Sequence, residues 1–548
     1  MSWLCHGIYI YIYIEKENDN LKEFNNNLIK YNFNIKQIKL FDSFAGIGAL
    51  HQSLKELGVP VNLVGISEID VDAIISYVAV HKIDISKIKP LEIQEMKDYL
   101  ISRNIGYDFK KNKSSIPRMK KDKLELLYKC CIATNNLGDI SLINPNNIPD
   151  FDLFNMTFPC TDLSISGKQQ GMKDKEGNIT RSGLYIYGIE IIKHKKPKYI
   201  MIENVKNLIG KKFINDFYNI INEIESYGYK CYYPKKDNDK PTCLNAKDYG
   251  IPQNRERIYV ICVRNDVNKG NFNFPKGFDS GLRLKNLLED EVDEKYYLTK
   301  EIQDRFKRND NKDINRNELN IMGTTKSESI SKNSFIDKYG RIQPFETKEN
   351  YIQWNTSGKE SNSQQDRAYY QDKLSPILSC CNANGDKSQV ILADKKDIGQ
   401  FSNSSKMQNN QKEFLEILNP NKGETYINKL SQIGTLKGGK WDKINESCKR
   451  VYNSNNISPT IHTCGGGNTE PKICDYNTNN ITNSFKIRKL TPKECWRLMG
   501  FRDECFGRAK AQGISDSQLY KQAGNSIVVN VLYYIFKELF KEHIINDN

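Results

Sequence analysis

No CxxC pair occurs in the 548 residues and only six histidines are present, so a zinc ribbon or finger is excluded. No run of 18 apolar residues exists, which excludes a membrane-spanning helix. The first residues lack a basic n-region and a small-residue cleavage site, so no secretory leader is expected. The 14 cysteines therefore read as reduced thiols of a cytoplasmic protein. Acidic residues are in deficit, 67 against 81 basic, for a net charge of +14. That surplus tolerates a polyanionic partner without requiring one. The length allows a sizeable core and several domains.

What is present is a series of apolar strands, each ending in a residue of chemical consequence. From Ile38 the pattern reads strand, glycine-rich turn, helix: Leu40-Phe41, then Phe44-Ala45-Gly46-Ile47-Gly48, then a helical face of Ala49, Leu50, Ser53, Leu54 and Leu57 capped by Gly58. A second strand, Val61 to Ile66, ends at Glu68, 20 residues beyond Gly48. The third glycine of the dinucleotide fingerprint is replaced by His51, which disfavours a nicotinamide cofactor; the remaining glycines with Glu68 point to an adenosine-containing ligand. A further apolar run closes in Phe158-Pro159-Cys160, and Tyr199 to Ile202 ends in Glu203-Asn204-Val205. Gln253, Arg255 and Arg257 stand two residues apart and project from one face of a strand. A thiol, a carboxylate and arginines at strand ends suit nucleophilic chemistry, because a thiolate attacks and a buried carboxylate is costly unless it binds or protonates something. Repeated strand–helix alternation predicts a doubly wound α/β sheet.

The alternation is interrupted at 82–129, which includes seven basic residues and one acidic within 110–123. Joining a helix to the next strand, this insertion is expected at the amino-terminal edge of the sheet, away from ligands. Residues 1–36 read as an extension. Residues 266–485 read as an inserted, irregular, β-leaning domain, so that 37–265 and 486–548 together make the sheet domain. The insert contains an echo: Arg367-Ala368-Tyr369 with Ser375-Pro376 recurs 83 residues later as Arg450-Val451-Tyr452 with Ser458-Pro459, predicting one structural unit used twice.

The order of these blocks resembles the cytosine-5 DNA methyltransferase family of prokaryotes and their phages. DSFAGIG (42–48), FPC (158–160), ENV (203–205), QNRERIYVI (253–261), KLTPKECWRLMGF (489–501) and QAGNSI (522–527) carry the resemblance, over roughly 38–300 and 486–540. It implies a Rossmann-like fold that binds S-adenosylmethionine and double-stranded DNA, with a target cytosine flipped from the duplex. By the same resemblance, Cys160 is the nucleophile, and Glu203, Arg257 and nearby Arg255 hold the base. Phe44, Gly46, Gly48, Glu68, Asp139, Pro159 and Asn525 form the cofactor pocket, while Thr460 and Ile461 match the family's DNA-recognition segment. A monomer is expected, paired functionally with a restriction endonuclease or acting as an orphan or phage enzyme. A tRNA cytosine methyltransferase of the same fold and a catalytically silent DNA-binding regulator are the rival readings.

Overall fold

The computed structural model describes residues 28–308 and 430–545, apart from 110, 160–162, 164–170, 173–176, 178, 237, 455, 464–469 and 477–484, and the backbone of five short strands between 334 and 392. Its central sheet contains β1 (Ile38–Ser43), β2 (Val61–Ser67), β3 (Leu153–Met156), β4 (Tyr199–Val205), β5 (Tyr229–Tyr232), β6 (Leu244–Asn245) and β7 (Glu256–Arg264). The order is β2-β1-β3-β4-β7-β5, with β6 also paired to β7. The first four strands are parallel and β7 runs against β4 and β5. A parallel strand delivers its last residues to the ligand edge; reversed β7 delivers its first, placing Arg257 opposite Val205 and Tyr259 opposite Glu203.

Side chains alternate across the sheet as the two-residue period requires. Leu40, Leu153, Met201, Tyr259 and Ile261 enter one core, while Phe41, Phe154, Ile200, Ile202, Ile258 and Val260 enter another. Helices cover both faces. The first core takes α1 (Ala49–Leu57), α2 (Val71–His81) and the carboxyl-terminal helices; the second takes Ile189, Ile191 and Ile192 of Tyr185–Lys195 and Phe217, Ile220 and Ile224 of Ile214–Ser226. The doubly wound reading therefore holds, with one antiparallel strand added. Among the described residues no helix is long and apolar enough to cross a membrane.

Trp496, Leu519, Leu532 and Phe536 share the core of Leu50 and Leu54, so the end of the chain returns to complete the first layer. A capping box at Thr491 and Glu494, followed by Pro492, starts this return.

The chain divides into two compact units, 1–307 with 426–548, and 308–425. In the first, Arg450–Asn453 lies antiparallel to Gln432–Leu436 and parallel to Lys472–Tyr476. In the second, Arg367–Tyr369 lies antiparallel to Tyr351–Trp354 and parallel to Ile391–Leu392. The two copies of the sequence echo thus begin on strands with the same local pairing.

The 82–129 insertion requires a correction. It contains helices Ile93–Ile101 and, at its end, Lys121–Ala133. Between them, Gly106 N–H donates to Ile69 O at 2.8 Å and Arg103 O accepts from Asp139 N–H at 2.9 Å. Ile69 follows the carboxyl end of β2, so this stretch reaches the ligand edge, not the opposite one. The direction of the flanking helix did not reveal that the chain crosses back.

Candidate active site

Two clusters form along the carboxyl edge. At the first, the β1–α1 turn carries Phe44 at φ 52, Gly46 at φ 54 and Gly48 at φ 78. The two glycines answer different demands. A Cβ on Gly48 would lie 2.2 Å from His81 Nε2, whereas one on Gly46 would meet nothing within 4 Å. Gly46 borders open space that a side chain would fill; Gly48 is required by packing.

Glu68 closes this turn from below. Its carboxylate accepts from the N–H groups of Gly46, Ile69 and Asp70, each at 2.8 Å. Burial, aided by neighbouring Asp70, pushes the Glu68 pKa up, and the three amide bonds oppose that shift. Asp139 accepts from Ser141 N–H and from Asn104 Nδ2, at 3.0 and 2.9 Å, so the insertion helps fix it. A rigid carboxylate pair, an aromatic and an open glycine backbone fit an adenosine moiety with ribose hydroxyls and an exocyclic amine.

A buried polar chain lies behind the turn. Asp42 accepts from Asn155 Nδ2 at 2.6 Å and from Tyr77 OH at 3.4 Å; His51 Nδ1 lies 3.1 Å from the same hydroxyl and its ring stacks on His81 at 4.1 Å. Burial raises Asp42 to about 7 and lowers His51 to about 3. His51, the residue that breaks the glycine fingerprint, is thus a core residue that packs behind the loop.

At the second cluster, β3 leads through Phe158 to Pro159; Cys160 itself lies outside the described residues. Asn204 Nδ2 donates to Phe158 O at 3.1 Å and Asn207 Nδ2 donates to Leu163 O at 2.5 Å, anchoring the chain on both sides of the cysteine position. Glu203 and Arg257 are diagonal neighbours on one face, with Nε 3.2 Å from Oε1. Burial raises the Glu203 pKa, offset in part by Arg257 and then Arg255. A raised carboxyl pKa favours the protonated form, which can donate a hydrogen bond as well as accept one.

Arg255, expected near Arg257 at the base, has its guanidinium engaged by main-chain carbonyls. Its guanidinium is buried and donates to the carbonyls of Ile461, Gly524 and Ser526 at 3.0, 3.1 and 2.8 Å. Thr460 Oγ1 donates to Asn254 O at 2.5 Å, and Ile461 is buried. Asn525 is exposed at the end of Asp516–Asn525. Asn204 and Gly524 stand inside the ENV and QAGNSI blocks without an assigned role, and Asn207 stands outside every block. Only the position of the asparagines, within one or four residues of Glu203, hinted at a supporting role.

A C-5 cytosine-specific DNA methylase family model matches residues 118–387 and 382–541. The type II methyltransferase M2.ScrFI of Lactococcus lactis subsp. cremoris is 29% identical over 507 residues, covering 92% of this chain and 99% of its own. The orphan methyltransferase M.SPRI of Bacillus phage SPR is 28% identical over 550 residues, covering 93% and 98%. Among solved structures, the Entamoeba histolytica methyltransferase EhMeth is similar at 14% identity and a TM-score of 0.44, covering 93% and 99%. Since the family model spans most of the sequence, the chain belongs to the C-5 cytosine-specific DNA methylases, which transfer a methyl group from S-adenosylmethionine to carbon 5 of cytosine in DNA.

Proposed function

We propose that this enzyme is sequence-specific and works through a covalent bond between Cys160 and a flipped-out cytosine. The observation that carries the reading is the Glu203–Arg257 pair at 3.2 Å, set on the strand whose Asn204 anchors the turn before the cysteine. The Cys160 thiolate adds to carbon 6, and the displaced electron pair makes carbon 5 nucleophilic. Glu203, its carboxyl biased toward the protonated form, donates to ring nitrogen 3 and accepts from the exocyclic amine, stabilising the adduct as charge develops. Arg257 holds both Glu203 and the exocyclic oxygen. S-adenosylmethionine, when bound, supplies the methyl group; a base then removes the carbon 5 proton and the sulfur–carbon bond breaks.

Phe44 packs on the adenine, Glu68 takes the ribose hydroxyls, Asp139 the adenine amine, and Gly46 leaves the backbone open. Pro159 and Asn525 complete the pocket. Residues 266–485 read the duplex, with Thr460 in contact with it and buried Ile461 supporting that segment from behind, while 37–265 and 486–548 make the catalytic domain. One copy of the chain carries the whole set, acting as a monomer in the cytoplasm. A restriction-modification role and an orphan or phage role both suit the chain, and its relatives include both kinds.

The test uses a duplex with 5-fluorocytosine, which has no carbon 5 proton to lose. Cofactor-loaded protein is expected to form a stable adduct at Cys160, located by peptide mass mapping, and Cys160→Ala to form none. Folded protein that methylates ordinary duplex yet yields no adduct would refute the covalent route; methylation of tRNA in place of DNA would refute the substrate.

A further inference from the structure

Three distant segments meet at one buried guanidinium. Arg255 stands one residue before β7, and its donors go to Ile461 O on one side and to Gly524 O and Ser526 O on the other. Gln253 repeats the arrangement: its Nε2 donates to Leu498 O at 2.6 Å and its Oε1 accepts from Ile461 N–H at 3.1 Å. Backbone bonds from Ser458 N–H to Pro252 O at 2.7 Å and from Asn254 N–H to Ser458 O at 2.8 Å seat the same loop. Gly524 then lies so close that a Cβ there would be 2.3 Å from the His462 carbonyl.

The carbonyls on both sides of Asn525 are therefore held by the group that holds Ile461. Asn525 belongs to the proposed cofactor pocket and Thr460, next to Ile461, to the proposed DNA contact, so the inference rests on that reading. We propose that Arg255 is a positioning residue that couples the two: DNA at Thr460, whose neighbour Ile461 is buried against Arg255, and cofactor at Asn525 each stabilise the geometry the other needs. The coupling is reciprocal, as linkage requires. A planar fork of fixed donors can span three carbonyls from both sides, whereas the point charge of lysine cannot.

The experiment measures the dissociation constant of S-adenosylhomocysteine, with and without saturating unmethylated genomic DNA fragments, for full-length wild type and Arg255→Lys. Wild type is expected to bind at least about fivefold more tightly with DNA present, at the lower end of ordinary coupling. Arg255→Lys should reduce that ratio to about one while each ligand alone binds within about threefold of wild type. An unchanged ratio in the variant overturns the proposal, as does a wild-type ratio of one. Should the variant not fold, hydrogen exchange on wild type decides. DNA alone should slow exchange at 522–527 and S-adenosylhomocysteine alone at 458–463; absence of either cross-effect overturns it. A normal 5-fluorocytosine adduct at Cys160 alongside failed coupling would sink this inference and leave the reaction assignment standing.

Discussion

Glu68 and Glu203 both sit at the carboxyl edge, and burial pushes both toward the neutral form. They are compensated by different means. Glu68 is held by three backbone N–H groups, Glu203 by the side chain of Arg257. Backbone donors cannot swing away, so Glu68 presents a fixed acceptor surface suited to hydroxyls that are unchanged by reaction. A side-chain partner can shift when a base enters, so Glu203 can exchange part of its bonding for the substrate. One carboxylate is a seat and the other an instrument.

The sharpest way to break that contrast is Glu203→Gln, which keeps the shape but removes the acidic proton and the ion pair. Turnover is expected to fall about 10²-fold or more, within the range for a general acid, with cofactor affinity unchanged. In wild type the raised Glu203 pKa keeps the protonated form populated to higher pH than an ordinary glutamate would. Activity should therefore decline as pH rises through that value, and pre-steady-state rates against pH should lose this limb in Glu203→Gln. Glu68→Gln should give the reverse pattern: cofactor binding weakened about tenfold to a hundredfold, the worth of a charged hydrogen bond, while the 5-fluorocytosine adduct still forms at saturating cofactor. Equal losses of both properties in both variants would dissolve the distinction.

The smallest effect on turnover is expected at Asp42, a buried carboxyl that among the described residues accepts from the neutral groups of Asn155 and Tyr77. Its folded pKa of about 7 exceeds the unfolded value of about 4. Across that window the unfolded chain has released a proton that the native state retains. Stability should thus fall as pH rises from about 4 to about 7 and not change further on this account. Urea midpoints against pH should show that decline in wild type, and Asp42→Asn should flatten it.

Much of this edge was legible from sequence because it is local. A glycine turn between a strand and a helix, a carboxylate at a strand end, and arginines at a spacing of two need only the β and α periods. Glu203 and Arg257 meet because that alternation survives in β4 and β7. Where residues far apart decide the outcome, sequence failed. Arg255 was expected on the same strand face, yet it stands one residue before β7 with its N–H turned back to Gln253 O at 3.0 Å, and the carbonyls its guanidinium meets lie 206 to 271 residues away. Gly48 looked like Gly46 until His81 arrived beside it. The insertion was placed at the wrong edge because the contact of Gly106 with Ile69 has no signature in either segment. Cys160 lies outside the described residues, so its assignment still rests on the sequence and the family.

Asn204 and Asn207 have a mechanical consequence. Both hang from one short stretch, and they grip the polypeptide before and after the nucleophile position. Breathing of the sheet that carries Glu203 must therefore carry Phe158 and Leu163 along with it. The acid and both flanks of the nucleophile position hang from a common beam, and motion shared by them leaves their spacing unchanged.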